Sequence, residues 1–207
     1  MQLARRGYNG VGVEPSSEAY AEAIQRIGPF KDQISLVKDP AETAGSFDWV
    51  ITCEVLEHLT EDLKALRTWA DRLRPGGRIL VSVPAHPERW GPSDEWAGHV
   101  RRYRRDELAG RVREAGLEVE LLWCYGFPLA NWVEPIGHAI HRRKLAQEAS
   151  KNLAQRTARS GVERESWVHR LAGRVLKPEL LLPFCWIQMP FLHTDWGNGF
   201  LLLGRKE

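Results

Sequence analysis

Between Ser46 and Ala85 the spacing of apolar residues changes twice. Trp49, Val50 and Ile51 are consecutive and bounded by turn residues, which predicts a short strand buried on both faces. Leu63, Leu66, Ala70 and Leu73 then recur on one face of a helix. Thr60 is placed as its N-cap, and Glu61 and Asp62 favour its positive end. Pro75-Gly76-Gly77 stops the helix and turns the chain, and Ile79 to Val83 reads as a second apolar strand. A strand, a covering helix and a strand with short links make a right-handed βαβ unit. Ligands of such sheets bind beyond the carboxyl ends of the strands. Those ends carry Cys53, Glu54, Glu57 and His58 after the first strand, and Pro84, Ala85 and His86 after the second.

The same reading extends in both directions. Leu3 to Tyr8 looks like a helix end with Gly7 as its cap. Val11-Gly12-Val13 is a strand ending at Glu14, and Pro15-Ser16-Ser17 starts a helix with Tyr20, Ala23, Ile24 and Ile27 on its apolar face. Ile34 to Val37 is a strand followed by Asp39. His86 to Tyr103 is polar, aromatic and proline-bearing, and can fold over the strand ends as a lid. A helix from Asp106 to Ala115 and a strand from Val119 to Tyr125 follow. The last strand is Gly199 to Arg205.

The interval 128–193 reads as a helical insertion forming a cap. Trp132 to Ile140 is apolar, Lys144 to Arg159 is a charged helix, and Ser166 caps a segment with Trp167, Leu171 and Val175. Leu180 to Leu192 is strongly apolar but broken by Pro183 and Pro190, and a bilayer span needs about 20 apolar residues. It is read as a buried segment closing the domain, with an apolar cap for a lipid-like or aromatic substrate, or a peripheral membrane contact, as the sharper readings.

Composition narrows this little. The 207 residues carry a net charge of +2, which calls for no nucleic-acid partner. Three cysteines, far apart and without metal spacing, read as reduced cytoplasmic thiols, and no metal constellation is visible. Seven of the nine tryptophans lie after Pro84, as a cover over an apolar ligand would have it, although core packing accounts for most of them equally well. Arg101, Arg102, Arg104 and Arg105 are read as a solvated basic face.

The stretches FDWVITCEVLEHL, RPGGRILVSVP and GHVRRYRRDELAGRVREAGLEV, in this order, closely resemble a class I S-adenosylmethionine-dependent methyltransferase of the small-molecule type. The resemblance covers Leu3 to Phe127 and returns at Gly197 to Lys206. It implies a doubly wound, Rossmann-like α/β fold with a mostly parallel sheet and an antiparallel last strand, formed by residues 1–127 and 194–207. It implies S-adenosylmethionine as methyl donor and a small-molecule acceptor. Glu14 is carried over as the ligand of the ribose hydroxyls and Asp39, with Glu42 behind it, as the contact to adenine. Cys53 and Glu54 stand where the backbone passes the cofactor and side chains face the substrate. Glu54 and His99 are the candidate catalytic groups, and His58 is read as orienting its loop. His99 and Tyr103 can equally serve to pin the lid.

One feature departs from the family. A glycine-rich turn should precede Glu14 by about 20 residues, so it would fall upstream of Met1, and the first, central strand with its glycine loop is expected to be missing. Two other readings stay open: a catalytically inactive remnant serving as a binding or partner module, and a nicotinamide-dependent oxidoreductase, since an acid after a second strand also suits NAD.

Overall fold

Two hydrogen-bonded ladders organise the computed structural model, which describes residues 2–43, 45–147 and 178–207. In chain order the elements are α1 (Gln2–Arg5), β1 (Gly10–Val13), α2 (Ser17–Ile27), β2 (Ile34–Val37), β3 (Phe47–Cys53), α3 (Asp62–Asp71), β4 (Leu73–Pro84), α4 (Pro92–Ala97), α5 (Arg105–Glu114), β5 (Leu117–Tyr125), α6 (Leu129–Gln147), α7 (Pro178–Gln188) and β6 (Gly199–Lys206). The larger sheet has the order β3-β4-β6-β5. β3 and β4 are parallel, and β6 runs antiparallel to both β4 and β5. β1 and β2 form a separate parallel pair. The fold is thus the Rossmann-like α/β arrangement with an antiparallel last strand. Among the described residues no ladder joins β1 to β3, where the resemblance places a first strand.

This topology corrects one expectation. Trp49 and Ile51 are 47% and 48% exposed, because β3 pairs only with β4. The more deeply buried strand is β4: Ile79, Val81 and Val83 are inaccessible on one face, and Ser82 and Pro84 are buried on the other beside a partly buried Leu80. Leu66 and Ala70 of α3, Leu108 and Val112 of α5, and Phe200 and Leu202 of β6 complete the core. Truncating any of the large aliphatic members to Ala would remove about 2–5 kcal/mol.

Helix α3 starts later than its sequence suggests. Its N-cap is Glu61, without a side-chain bond, and Leu73 belongs to β4, where it pairs with Phe47. Thr60 is instead used through its carbonyl, which accepts from Arg101. The buried carboxylate of Asp62 explains the shift. It accepts Arg101 Nη1 at 2.8 Å and the hydroxyl of fully buried Tyr103 at 3.0 Å, with Arg111 at 3.6 Å. These bonds clamp the far end of the 86–103 segment onto the start of α3.

Several apolar residues of the insertion are exposed among the described residues. Trp132 on α6 and Trp186 on α7 are each 73% exposed, and Ile136, Ile140, Phe184 and Ile187 are exposed with them. The segment Leu180 to Leu192, read as buried, exposes Leu182, Phe184, Trp186 and Ile187 and buries Leu192 at its end. The charged helix beyond Gln147 and the segment capped by Ser166 lie outside the described residues. No helix among those described is long and apolar enough to cross a membrane.

Replacing Tyr103 by Phe keeps the ring and removes one donor to a buried carboxylate. A loss of about 1–3 kcal/mol is expected, read as a lower urea midpoint at unchanged slope.

Candidate active site

Three strand ends of the larger sheet meet on one carboxylate. Glu54 follows β3 with φ at +54°, a left-handed conformation that a side-chain-bearing residue adopts at a cost. Its amide donates to the Ser82 carbonyl at 3.0 Å. Its Oε1 accepts the Ser82 hydroxyl at 2.9 Å and the Tyr125 hydroxyl at 3.2 Å. Burial, together with the Glu54 charge beside it, pushes the Tyr125 phenol above its ordinary pKa, so it stays a neutral donor. Gly199 makes the arrangement possible, since a Cβ there would run into the Tyr125 ring. Cys53, the last residue of β3, is exposed beside this group.

Glu14 and Asp39 stand at the carboxyl end of the β1-β2 pair. The Glu14 amide donates to the Val37 carbonyl at 3.0 Å, which continues that ladder by one residue. Half-buried Glu14 accepts the Ser16 amide at 2.9 Å through one oxygen, at the start of α2. Asp39 is exposed and caps a short 3-10 turn, Pro40–Glu42. Its Oδ1 accepts the Ala41 amide at 2.8 Å, while its own amide donates to Glu42 at 2.9 Å. Both acids thus have local backbone duties as well.

His99 sits in a different group from Glu54. Its Nδ1 is 2.9 Å from Asp94 Oδ1 and its Nε2 is 3.8 Å from Glu57 Oε1. His58 mirrors it, with Nδ1 3.2 Å from the Gly98 carbonyl and Nε2 3.8 Å from the same Glu57 oxygen. The two rings meet edge to face at 4.8 Å between centroids. Burial and the neighbouring His99 lower the His58 pKa, which keeps the ring neutral at physiological pH. The two residues expected to be catalytic are therefore divided between two clusters.

Asp94 anchors the second cluster. Besides His99 it accepts Arg102 Nε at 2.8 Å and the Gly91 amide at 2.9 Å. Burial disfavours its charge, but the bonds from His99 and Arg102 more than offset this and hold its pKa at about 2. Arg102 also reaches Glu134 of α6 at 3.1 Å. The arginine run is consequently not a solvated face. Arg102 is buried, Arg101 is paired with Asp62 and Arg105 with Asp195, and of the four only Arg104 is exposed. The reason is the lid segment's own burial: guanidinium groups drawn beneath it must be paired with carboxylates.

Two contributors escaped the sequence reading. Ser82 is the one polar residue within the apolar run of β4, and Tyr125 closes its strand just before Gly126. A hydroxyl in an otherwise apolar strand was the available signal. Nothing local announced that both would reach Glu54.

Two ladders of parallel strands, each with an acid just beyond a strand's carboxyl end, and an antiparallel last strand define a Rossmann-like α/β protein, a fold in which ligands bind beyond the strand ends. The family model described as a methyltransferase domain matches residues 2–122, and the chain belongs to that family. Among curated relatives, the ubiquinone biosynthesis O-methyltransferase of Acinetobacter baylyi is 24% identical over 170 residues, covering 70% of this chain and 71% of that protein. Its counterpart from Marinobacter nauticus is 31% identical over 103 residues, 42% of each chain. The chain therefore spans well under half the length of that relative. Among solved structures, the 4+2 cyclase SpnF superposes with a TM-score of 0.62 at 18% identity, covering 99% of this chain and 68% of that one. Phosphoethanolamine N-methyltransferase 2 of Haemonchus contortus, in complex with S-adenosyl-L-methionine, gives 0.53 at 16% identity, covering 95% and 43%.

The low pKa of Asp94 fixes an acid limit. A carboxylate whose folded pKa lies below its unfolded value contributes stability above the unfolded pKa of 3.8 and loses it as pH falls through the folded value of about 2. The stability difference between the wild type and Asp94→Asn should be full at pH 7, shrink below pH 4 and disappear near pH 2, read by urea unfolding at each pH. The expected span is about 2 kcal/mol.

Proposed function

We propose that the protein is an S-adenosylmethionine-dependent methyltransferase acting on a small acceptor with an apolar or aromatic body and a hydroxyl group. The observation that carries this reading is the convergence of Ser82 and Tyr125 on Glu54 at the rim where a strained backbone turns past the sheet. The membership of the methyltransferase-domain family supports the donor. The O-methyltransferase names of the relatives support an oxygen acceptor.

The residues present fit that donor. Glu14 keeps one carboxylate oxygen beyond its bond to Ser16, at the tip of a strand that leads into a helix, the place where ribose hydroxyls are read in sheets of this kind. Asp39 stands beside it at the end of β2 for the adenine edge. When bound, the sulfonium supplies an already activated methyl group, so the protein mainly provides position and a dry site. Cys53 and the turned backbone of Glu54 would line the methyl end. Glu54 accepts the proton of the acceptor hydroxyl through the oxygen not engaged by Ser82 and Tyr125, and the neutral Tyr125 phenol keeps the carboxylate oriented. The Rossmann-like fold alone would also suit a nucleotide-binding module without chemistry, and SpnF is a cyclase on the same fold.

The exposed apolar residues of α6 and α7 favour an apolar acceptor, and with it a peripheral contact of this surface with a membrane. Lys144, Arg142 and Arg143 at the end of α6 would add attraction to anionic lipid.

Calorimetry with S-adenosylhomocysteine should give one-site binding that weakens at least tenfold in Glu14→Ala, while a response to NAD alone would favour the oxidoreductase. Release of S-adenosylhomocysteine in the presence of dihydroxybenzoate-type phenols should fall about 10²–10⁴-fold in Glu54→Gln, without loss of product binding. In flotation with vesicles containing anionic lipid, the wild type should rise with the vesicles and a Trp132→Ser, Trp186→Ser double variant should stay below. Wild type left entirely at the bottom would remove the membrane contact.

A further inference from the structure

The group formed by Glu57, His58 and His99 has the composition and layout of a metal site. One ligand atom from each lies within 4.8 Å of the other two. Both imidazole Nε2 atoms face the same Glu57 oxygen at 3.8 Å. The opposite ring nitrogens are each engaged by an acceptor: His58 Nδ1 by the Gly98 carbonyl at 3.2 Å and His99 Nδ1 by Asp94 at 2.9 Å. A proton held on Nδ1 by those acceptors leaves the Nε2 lone pair directed into the group. A metal-binding histidine needs that tautomer, and a carboxylate or carbonyl behind the ring is its usual support. Glu57 is fully buried and the two histidine side chains are 15% and 14% exposed, so the group opens to solvent on the imidazole side alone.

We propose that Glu57, His58 and His99 bind a divalent transition-metal ion of the zinc or cobalt type. Two imidazoles and one carboxylate suit these borderline ions, whereas magnesium and calcium favour all-oxygen surroundings. Around zinc at about 2.1 Å, tetrahedral donors lie roughly 3.4 Å apart. The observed separations close to that value by a shift on the order of 1 Å, within reach of ring rotation on the 3-10 turn that carries His58 and the loop that carries His99. Three protein donors leave a fourth position for water or an oxygen-bearing ligand, as in catalytic rather than closed structural sites. Asp94 is the positioning residue: it holds the His99 ring and is itself locked by Arg102. The inference stands on this geometry and does not depend on the methyl-transfer reading.

The full chain, treated with chelator and then freed of it, is titrated with cobalt chloride and followed in the visible spectrum, with zinc chloride calorimetry in parallel. One equivalent of cobalt should produce a visible band without a near-ultraviolet thiolate transition. His58→Gln and His99→Gln should each weaken binding at least 30-fold. Asp94→Asn should weaken it about 10–100-fold. Substitution of Cys53 and Cys185 by Ser, or of His138 by Ala, should leave it unchanged. Far-UV dichroism and the unfolding midpoint establish that each variant is folded; should either glutamine variant fail that check, the corresponding Asn variant replaces it. Absence of binding at millimolar cobalt, or a band that survives both histidine substitutions, would overturn the proposal.

Discussion

Charge taken out of water has to be paired, and around Asp94 and Arg102 that requirement organises the molecule. Asp94 is fully buried and Arg102 nearly so. Neither position is tolerable alone, because an isolated buried charge costs several kcal/mol. Arg102 satisfies Asp94, but its guanidinium has donors to spare, and these reach the Ala85 carbonyl at the end of β4 and Glu134 on α6. Asp94 in turn has lone pairs to spare, and these take His99 and the Gly91 amide. One ion pair therefore joins a strand end, the lid and the insertion. Each connection follows from the valence left over after the preceding one.

The rim on the other side of β4 is held differently. Glu54 pays a conformational cost of order 1–3 kcal/mol for its left-handed backbone. It is kept there by hydroxyls from two neighbouring strands and by a glycine that leaves room for the Tyr125 ring. Strain that the surroundings over-determine is a mark of a site built for position. The comparison with the Asp94 group is instructive. There the carboxylate faces the buried Arg102 guanidinium, and removing either partner would leave the other's charge unpaired in the core. At Glu54 the contacts are neutral hydroxyls on a half-buried side chain, so the carboxylate keeps capacity for an incoming donor.

Much of the fold was legible, and the reasons are physical. β4, α3 and α5 announce themselves because their apolar residues recur at the period of the structure they form. The start of α2 was legible at Pro15-Ser16-Ser17, where the Ser16 hydroxyl accepts the Ala19 amide in the way cap chemistry requires. Trp49 and Ile51 misled because an apolar run says which residues favour burial, not how many neighbouring strands are there to bury them. Thr60 misled because the Asp62 carboxylate is committed to Tyr103 and Arg101, some 40 residues away. The arginines misled for the same reason: a run of like charges reads as surface until the partners, Asp94, Asp62 and Asp195, are placed in space. At the site, Glu54 was legible from its place after a strand. Its division from His99 was not, because the loop 54–58 sends Glu54 to one cluster and Glu57 and His58 to the other, and side-chain direction at a non-repetitive turn is not written in spacing.

The lid helix α4 emerges as the element through which the insertion and the rim communicate. Its Ser93 hydroxyl lies 3.0 Å from His138 Nδ1 and 2.9 Å from His141 Nδ1 of α6, and its Trp96 ring stacks on His141 at 4.4 Å. The next residue in sequence, Asp94, holds His99 and Arg102. Helix α4 thus stands between α6 and the Glu57-His58-His99 group, with contacts to both. The contacts of this six-residue helix differ in kind on its two sides: ring stacking and hydroxyl bonds from Ser93 and Trp96 towards α6, buried charge at Asp94. The former exchange with water at small cost, whereas the latter do not. Any adjustment of α6 should therefore be absorbed on the Ser93 and Trp96 side, leaving the geometry around Asp94 as the fixed reference.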